Sequence, residues 1–340
     1  MKRIYLDWNA TAPLRPEARD AMLVAMDCLG NPSSVHAEGR AAKAIVERAR
    51  TQIADAIGAG SADIVFTGSA TEAAALVLDG NGFDSPACEH SCVLAYTEGK
   101  NSAELEKTAW QQANGETGVI HDLPEGLGLV DAVQAIGKIP YAFDWSGAVR
   151  ALVSGHKFGG PKGAGALVVQ KGTEVLAAIK GGGQEMGRRS GTENIIGIAG
   201  MGAAAEAAAK DLADGVWQIV EQNRNVFEER LLNEVPELII FGKDAVRLPN
   251  TSYFAVKGWK AETQVMQMDL AGFAVSAGSA CSSGKVKASR VLKAMGYDEV
   301  TAGSAIRVSI GPGTTAEELE SFAEAWLKEY KRFKARQKGN

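Results

Sequence analysis

Short apolar runs alternate along this chain with longer segments in which apolar residues recur every three or four positions. Ile64–Thr67, Ala151–Val153 and Ala166–Val169 are three such runs, and Pro249–Phe254 begins another after a loop. Runs of this length with β-branched residues predict strands, whereas the segments between them predict helices. The alternation therefore predicts an α/β fold with a mostly parallel central sheet.

Helical periodicity is clearest over 37–57, where alanine and isoleucine residues fall on one face. Alanine-rich composition predicts further helices over 71–78 and 196–235, and the second segment is long enough for one long helix or two. A closing amphipathic helix is predicted over 315–334, with its aromatic residues along one side. Those residues are Phe322, Trp326 and Tyr330.

Composition and charge limit the class of protein. The chain has 340 residues, 46% of them hydrophobic, and no apolar run approaches the roughly 18 residues that cross a bilayer. Its first residues lack the apolar core and cleavage site of a signal peptide, so we expect a cytoplasmic protein without membrane contact. A net charge of −5 argues against a general nucleic-acid binder, which needs a basic surface.

The cysteines are Cys28, Cys88, Cys92 and Cys281, and no disulfide framework is expected in a reducing compartment. Cys88 and Cys92 flank His90 at metal-ligand spacing. Two thiolates and one imidazole are fewer than the four ligands of a structural zinc site, and no fourth ligand is evident nearby. We expect no metal and interpret these residues as two buried thiols beside a histidine with another role.

Two segments carry the chemistry that the sequence favours. Cys281 lies among serines, alanines and glycines that leave its thiol able to reach a substrate. Lys157 follows an apolar strand and precedes Gly159-Gly-Pro, and burial at a strand end favours the neutral amine that forms a Schiff base. The alternative for Lys157 is a solvated surface charge. Together the segments predict a lysine that holds a cofactor aldehyde and a cysteine that accepts an atom.

Candidate anion and ring contacts follow the predicted strands. Thr71 opens a helix directly after a strand and a small-residue turn, a position that binds phosphate or serves only as an ordinary helix cap. Ser154 and His156, beside Lys157, are further phosphate candidates. Asp131 lies in a strand-like segment, where a buried carboxylate needs a cationic partner such as a protonated pyridine, unless it caps a helix.

Several blocks in the same order resemble the pyridoxal-phosphate cysteine desulfurases, the NifS/IscS group of class V aminotransferases. The blocks cover most of the chain. They are the segments around Lys157 and Cys281 together with Tyr5–Pro13, Gly30–His36, Gly181–Asn194 and Ile306–Gly311. The resemblance implies a fold-type-I α/β homodimer. Its large cofactor-binding domain would span 13–248, and 1–12 with 249–340 would form a small α+β domain.

The resemblance also implies a role for each candidate residue. Lys157 would bind the aldehyde of pyridoxal 5′-phosphate, Asp131 would pair with the pyridine nitrogen, and Gln134 with the phenolic oxygen. His90 would stack on the ring and transfer protons, and Cys281 would accept the sulfur. The other implied contacts are Thr71, Ser154 and His156 at the phosphate, Thr192 at the phosphate of the second subunit, and Arg307 at the substrate carboxylate.

The chain departs from the family pattern in four places. Gly115 stands where a second asparagine usually helps to hold the substrate, so Asn114 is the remaining candidate. Ala73–Ala75 replaces a polar run, and Met186 stands where a basic residue is common. The segments from His90 to Asn114 and from there to Asp131 are shorter than in the family.

The expected function is therefore removal of sulfur from L-cysteine, giving L-alanine and a persulfide on Cys281. The sulfur would pass to an acceptor protein, either an iron–sulfur assembly scaffold or a sulfur relay such as that of tRNA thiolation. The alternatives are selenocysteine lyase, another class V enzyme, or a cofactor-binding scaffold subunit without catalysis. A transaminase is disfavoured because it needs no thiol like that of Cys281.

Overall fold

The computed structural model describes residues 3–97, 99, 104–278 and 288–338. They belong to two compact units. The sheet unit comprises Thr11–Ala113 and His121–Asp214, and the terminal unit comprises Met1–Ala10, Asn114–Ile120 and Gly215–Asn340. This division assigns 114–120 and 215–248 to the terminal unit, whereas the domains expected from the sequence place them in the large domain.

The helices and strands of the described residues have the following bounds. The strands are β1 Ile4–Tyr5, β2 Ala62–Thr67, β3 Ala109–Gln111, β4 Leu129–Asp131, β5 Arg150–Ser154, β6 Gly165–Gln170, β7 Ile239–Ile240, β8 Thr251–Ala255, β9 Phe273–Ala274, β10 Ser276–Ala277 and β11 Ala305–Ser309. The helices are α1 Pro16–Met26, α2 Ala37–Ala56, α3 Ala70–Leu78, α4 Ser91–Leu94, α5 Ile195–Ala213, α6 Val216–Glu234, α7 Ala261–Leu270, α8 Arg290–Ala294, α9 Glu299–Ala302 and α10 Ala316–Lys338.

The sheet unit contains a five-stranded sheet in the order β2-β6-β5-β4-β3. The α/β fold class is confirmed, and the sheet itself is mixed: β3, β4 and β5 are parallel, whereas β6 is antiparallel to both β5 and β2. Two antiparallel steps restore the original direction, so β2 runs the same way as β4 and β5. The carboxyl ends of these three strands therefore lie at the same edge, where α/β sheets bind ligands.

The strands are continuous apolar runs because both faces of the sheet are covered. Alternate side chains point to opposite faces. Ile64, Phe66 and Val153 pack in a core with α2 and α5, whereas Val65 and Leu152 pack in a second core with α3. Burial on both faces removes the polar alternation of a half-exposed strand.

The terminal unit contains the antiparallel sheet β10-β11-β8-β7 and the parallel pair β1-β9. The predicted aromatic side of α10 is confirmed, because Phe322 and Trp326 are fully buried and Tyr330 is 8% exposed. The helical segment after residue 195 is two helices. Gly215, with φ 75°, lies between α5 and α6 in the left-handed region that ends a helix.

One loop of the sheet unit is held by a buried carboxylate. Glu185 accepts hydrogen bonds from Arg50 Nη1 at 2.9 Å and Nη2 at 3.0 Å, and from Phe66 N at 2.8 Å. Glu185 and Met186 both have left-handed backbone, with φ 48° and 59°, which costs a non-glycine residue about 1–3 kcal/mol. These three hydrogen bonds hold the turn in that conformation.

Among the described residues, no helix combines the length and the apolar surface needed to cross a bilayer.

Candidate active site

The first part of the site is the turn between β2 and α3. Ser69 caps α3, since its hydroxyl accepts from Glu72 N at 3.1 Å, and Thr71 lies exposed in the first helical turn. Glu72 in turn accepts from Gly68 N at 2.8 Å and pairs with Arg189. The turn is thus rigid, and the start of α3 offers backbone N–H groups and the Thr71 hydroxyl to an anion.

Asp131 ends β4 at the same edge of the sheet. Its side chain is buried, and Oδ1 accepts from Val133 N at 2.9 Å. Burial raises the pKa of Asp131, while the charges of His90 and Lys157 act in the opposite direction. Asp131 therefore lies within electrostatic range of two other predicted site residues, His90 and Lys157.

Lys157 ends a short turn, Gly155–Lys157, directly after β5. Ser154 is buried at the end of β5, and His156 Nδ1 is buried without a hydrogen-bond partner among the residues that the structure describes. Burial and the positive charges of three lysines lower the pKa of His156 to about 4, so its ring is neutral at pH 7. Those lysines are Lys157, Lys162 and Lys138.

His90 forms the N-cap of α4. Its Nδ1 accepts from Cys92 N at 3.2 Å and lies 3.0 Å from Cys92 Sγ. The Thr71 side chain acts to lower the pKa of Cys92, against the larger effect of burial. Burial, followed by the charges of Asp131 and Glu89, raises the pKa of Cys92 to about 12. Cys92 therefore contacts the predicted site residue His90 through both its backbone N–H and its thiol.

Glu89 is a second buried carboxylate beside Asp131. It is 1% exposed, and its Oε1 accepts from Gln111 N at 2.5 Å, on the edge strand β3. Burial and the charge of Asp131 raise its pKa well above the usual value. Sequence reasoning missed both Glu89 and Cys92 as site residues, although both lie in the Cys-Glu-His-Ser-Cys segment that was considered for a metal.

No group of three or more metal-binding side chains occurs in the described part of the chain.

Gln134 and Thr192 also lie in the sheet unit. Lys138 Nζ donates to the Gln134 side-chain oxygen, in the turn after β4. Thr192 is exposed and lines a small cavity with Thr67 and Gly68, next to the start of α3. Its expected contact with a second subunit stays a prediction.

In the terminal unit, Arg307 on β11 is 7% exposed. Its Nη2 lies 2.8 Å from Asp7 Oδ1 and its Nη1 donates to Gly115 O at 2.9 Å. Nε is buried without a hydrogen-bond partner in the described ranges. Asn114 is also buried, and its Oδ1 accepts from the backbone of Glu116 and Thr117, which stabilises the turn that carries Gly115.

Cys281 lies outside the described residues, so its role stays a prediction from the sequence.

The Aminotransferase class-V family profile matches residues 4–125 and 108–322. The chain belongs to the class-V aminotransferases. Among its relatives is the cysteine desulfurase of Cereibacter sphaeroides, 37% identical over 95% of both proteins. The alignment has 371 positions, more than this chain has residues, so that class-V relative has residues that this chain lacks.

Solved structures of class-V relatives are also similar to the structure of this chain. The NifS-like protein from Rickettsia africae ESF-5 is 31% identical with a TM-score of 0.87, over 97% of this chain and 99% of that one. SspA in complex with cysteine is 27% identical with a TM-score of 0.74, over 92% of this chain and 100% of that one. The resemblance to the NifS/IscS group and the fold predicted from it are confirmed.

The class-V family uses pyridoxal phosphate, and the donor set of the sheet unit fits that molecule. A phosphate suits the start of α3 and the orphaned, neutral ring of His156 in its lysine-rich surroundings. A protonated pyridine nitrogen suits the buried carboxylate of Asp131, and an aldehyde suits the amine of Lys157.

Proposed function

We propose that this chain is a pyridoxal-phosphate-dependent cysteine desulfurase that converts L-cysteine to L-alanine and carries the removed sulfur as a persulfide on Cys281. One observation supports the proposal most directly. In a class-V chain, Asp131 is a buried carboxylate at the carboxyl edge of the sheet, and the charges of both His90 and Lys157 act to lower its pKa. These are the three groups that the chemistry needs around the cofactor ring.

In this proposal the cofactor is held by residues of the sheet unit. Thr71, Ser154 and His156 bind its phosphate, with Thr192 contributed by the second subunit of a homodimer. Lys157 binds the aldehyde, and Gln134 donates to the phenolic oxygen. When bound, the pyridine ring supplies an electron sink for negative charge at the substrate Cα.

The side chains have separate tasks. Asp131 keeps a proton on the pyridine nitrogen, and the freed Nζ of Lys157 takes the Cα proton. Arg307 binds the substrate carboxylate, and Asn114 supports it from the turn at Gly115. His90 transfers protons at the sulfur end of the substrate.

Cys281 then takes the sulfur. Its thiolate attacks the substrate sulfur, so that an S–S bond forms, the C–S bond breaks, and the electron pair of that bond remains on carbon to be protonated as alanine forms. The outer sulfur of the persulfide leaves when an acceptor thiol attacks it, as in thiol–disulfide exchange. The acceptor is an iron–sulfur assembly scaffold or another sulfur relay. The reaction takes place in the cytoplasm.

The test is to incubate the loaded enzyme with L-cysteine and dithiothreitol and to measure alanine and sulfide together. Equal yields are expected. Cys281→Ala should keep the yellow cofactor absorbance and lose sulfide release, whereas Cys28→Ala, the matched control, should retain both. Lys157→Ala should lose the absorbance of the lysine-bound cofactor, and Lys162→Ala should keep it.

The competing functions give different results. Cofactor binding without either product indicates a scaffold subunit. Turnover of selenocysteine with negligible turnover of cysteine indicates a lyase. Normal sulfide release by Cys281→Ala would show that another group accepts the sulfur.

A further inference from the structure

The position of His90 determines where its ring carries a proton. A backbone N–H is always a donor, and Cys92 N donates to His90 Nδ1 at 3.2 Å. Nδ1 must therefore present its lone pair, and an uncharged imidazole has only one N–H. The proton of the uncharged ring is then on Nε2.

The side chain of Cys92 strengthens the same arrangement. Its Sγ lies 3.0 Å from His90 Nδ1. Because the pKa of Cys92 is raised to about 12, the sulfur keeps its proton at neutral pH and donates it to Nδ1. Cys92 is only 9% exposed and lies in the first turn of α4, directly after its N-cap.

We propose that Cys92 is a positioning residue, which with its own backbone N–H holds the uncharged ring of His90 with the proton on Nε2. The inference deepens the proposed function, because it sets what His90 offers to the reacting atoms. The ring meets them through Nε2 as a proton donor, and Nδ1 takes a proton only if both contacts with Cys92 are given up. Cys92 itself stays a protonated thiol and does not accept the sulfur that is removed from the substrate.

The experiment is nitrogen NMR of the holoenzyme labelled with ¹⁵N-histidine, at pH 8. The chain has four histidines, and the His90 signals are those missing from His90→Gln. We expect wild type to show the proton on Nε2 only. Cys92→Ala should add a form with the proton on Nδ1 and lower kcat about 3- to 10-fold, the effect of losing one ordinary hydrogen bond. Cys92→Ser, which keeps a donor, should restore the wild-type spectrum and most of kcat.

A wild-type His90 signal with the proton on Nδ1 would overturn the inference. A Cys92→Ala variant with the wild-type spectrum would also overturn the inference, whether or not kcat changes. In that case the backbone N–H alone would hold the ring. The spectrum is read without substrate. If the enzyme releases no sulfide from cysteine, the proposed function fails while the position of the His90 proton is still determined.

Discussion

Arg307 and Asp7 form an ion pair in which Nη2 lies 2.8 Å from Oδ1 and the side chains are only 8% and 17% exposed. Ser276 Oγ donates to the other oxygen of Asp7 at 2.8 Å. The guanidinium proposed to bind the substrate carboxylate is therefore already partly neutralised. A substrate carboxylate at Arg307 would also meet the negative charge of Asp7.

Asp7→Asn should lower KM for L-cysteine about 3- to 10-fold, because it removes a negative charge a few ångströms from the substrate carboxylate while keeping the side-chain shape. Steady-state kinetics of sulfide release measures the change. Asp269→Asn is the control, since Asp269 pairs with Arg3 where both side chains are more than half exposed, and it should leave KM unchanged. A higher KM for Asp7→Asn would contradict the prediction.

Glu185→Ala should lower the free energy of unfolding by about 3–5 kcal/mol, because it leaves the guanidinium of Arg50 without its buried partner. Urea unfolding followed by circular dichroism measures the loss. Glu47→Ala is a matched control, since Glu47 contacts the same arginine but its side chain is 52% exposed, and should cost less than about 1 kcal/mol. Equal losses in the two variants would show that burial of the pair does not matter.

Glu89→Gln should stabilise the protein by about 1–2 kcal/mol at pH 8, because ionisation of Glu89 stabilises the unfolded wild-type chain whereas glutamine ionises in neither state, and the side-chain oxygen still accepts from Gln111 N. The folded-state pKa of Glu89 is raised, so the native state keeps a proton that the unfolded chain loses above about pH 4.5. Wild type therefore loses stability as pH rises, and the gain in Glu89→Gln should shrink towards pH 4.5. Exposed Glu106→Gln should show no such trend. A gain independent of pH would show that folding does not raise the pKa of Glu89.

The neutral ring of His156 predicts a pH dependence of opposite sign in the cofactor-free protein. The unfolded chain binds this proton near pH 6.5, whereas folded His156 binds it at about 4. Stability is therefore fully present above pH 6.5 and falls as pH falls to 4. His156→Gln should remove about 1–2 kcal/mol of that fall, after discounting for partial exposure.

Guanidinium unfolding of cofactor-free wild type and His156→Gln, measured from pH 7 to pH 4.5, tests this prediction. His36→Asn is the control because His36 is exposed and asparagine also caps α2. Parallel pH curves for wild type and His156→Gln would exclude a role for this ring in acid sensitivity.

The elements with the strongest local signal were predicted from the sequence. The strands β2, β5 and β6 are apolar because both faces are buried, and the aromatic side of α10 follows from helical spacing. The direction of β6 was not predictable, because strand pairing depends on distant connections rather than on composition. The short strand β3 was missed, since its residues Ala109–Gln111 include a glutamine and give no clear apolar run.

For the site, the sequence predicted residues whose chemical role is tied to a local motif, such as Lys157 after its strand. Glu89 and Cys92 were missed for a physical reason. Their importance comes from burial beside Asp131, which lies about forty residues away in the sequence and becomes adjacent only through the sheet. The spacing of Cys92 two positions after His90 was visible, but spacing alone does not distinguish a ligand, a cap and a core residue.

The carboxylate of Glu89 also affects the edge strand of the sheet, β3. β3 is an outermost strand, and a bare outermost strand invites pairing with another protein molecule. Glu89 occupies the position at Gln111 N where the carbonyl of such an intruding strand would bind. The same carboxylate therefore blocks one backbone donor of this edge strand from pairing with another molecule.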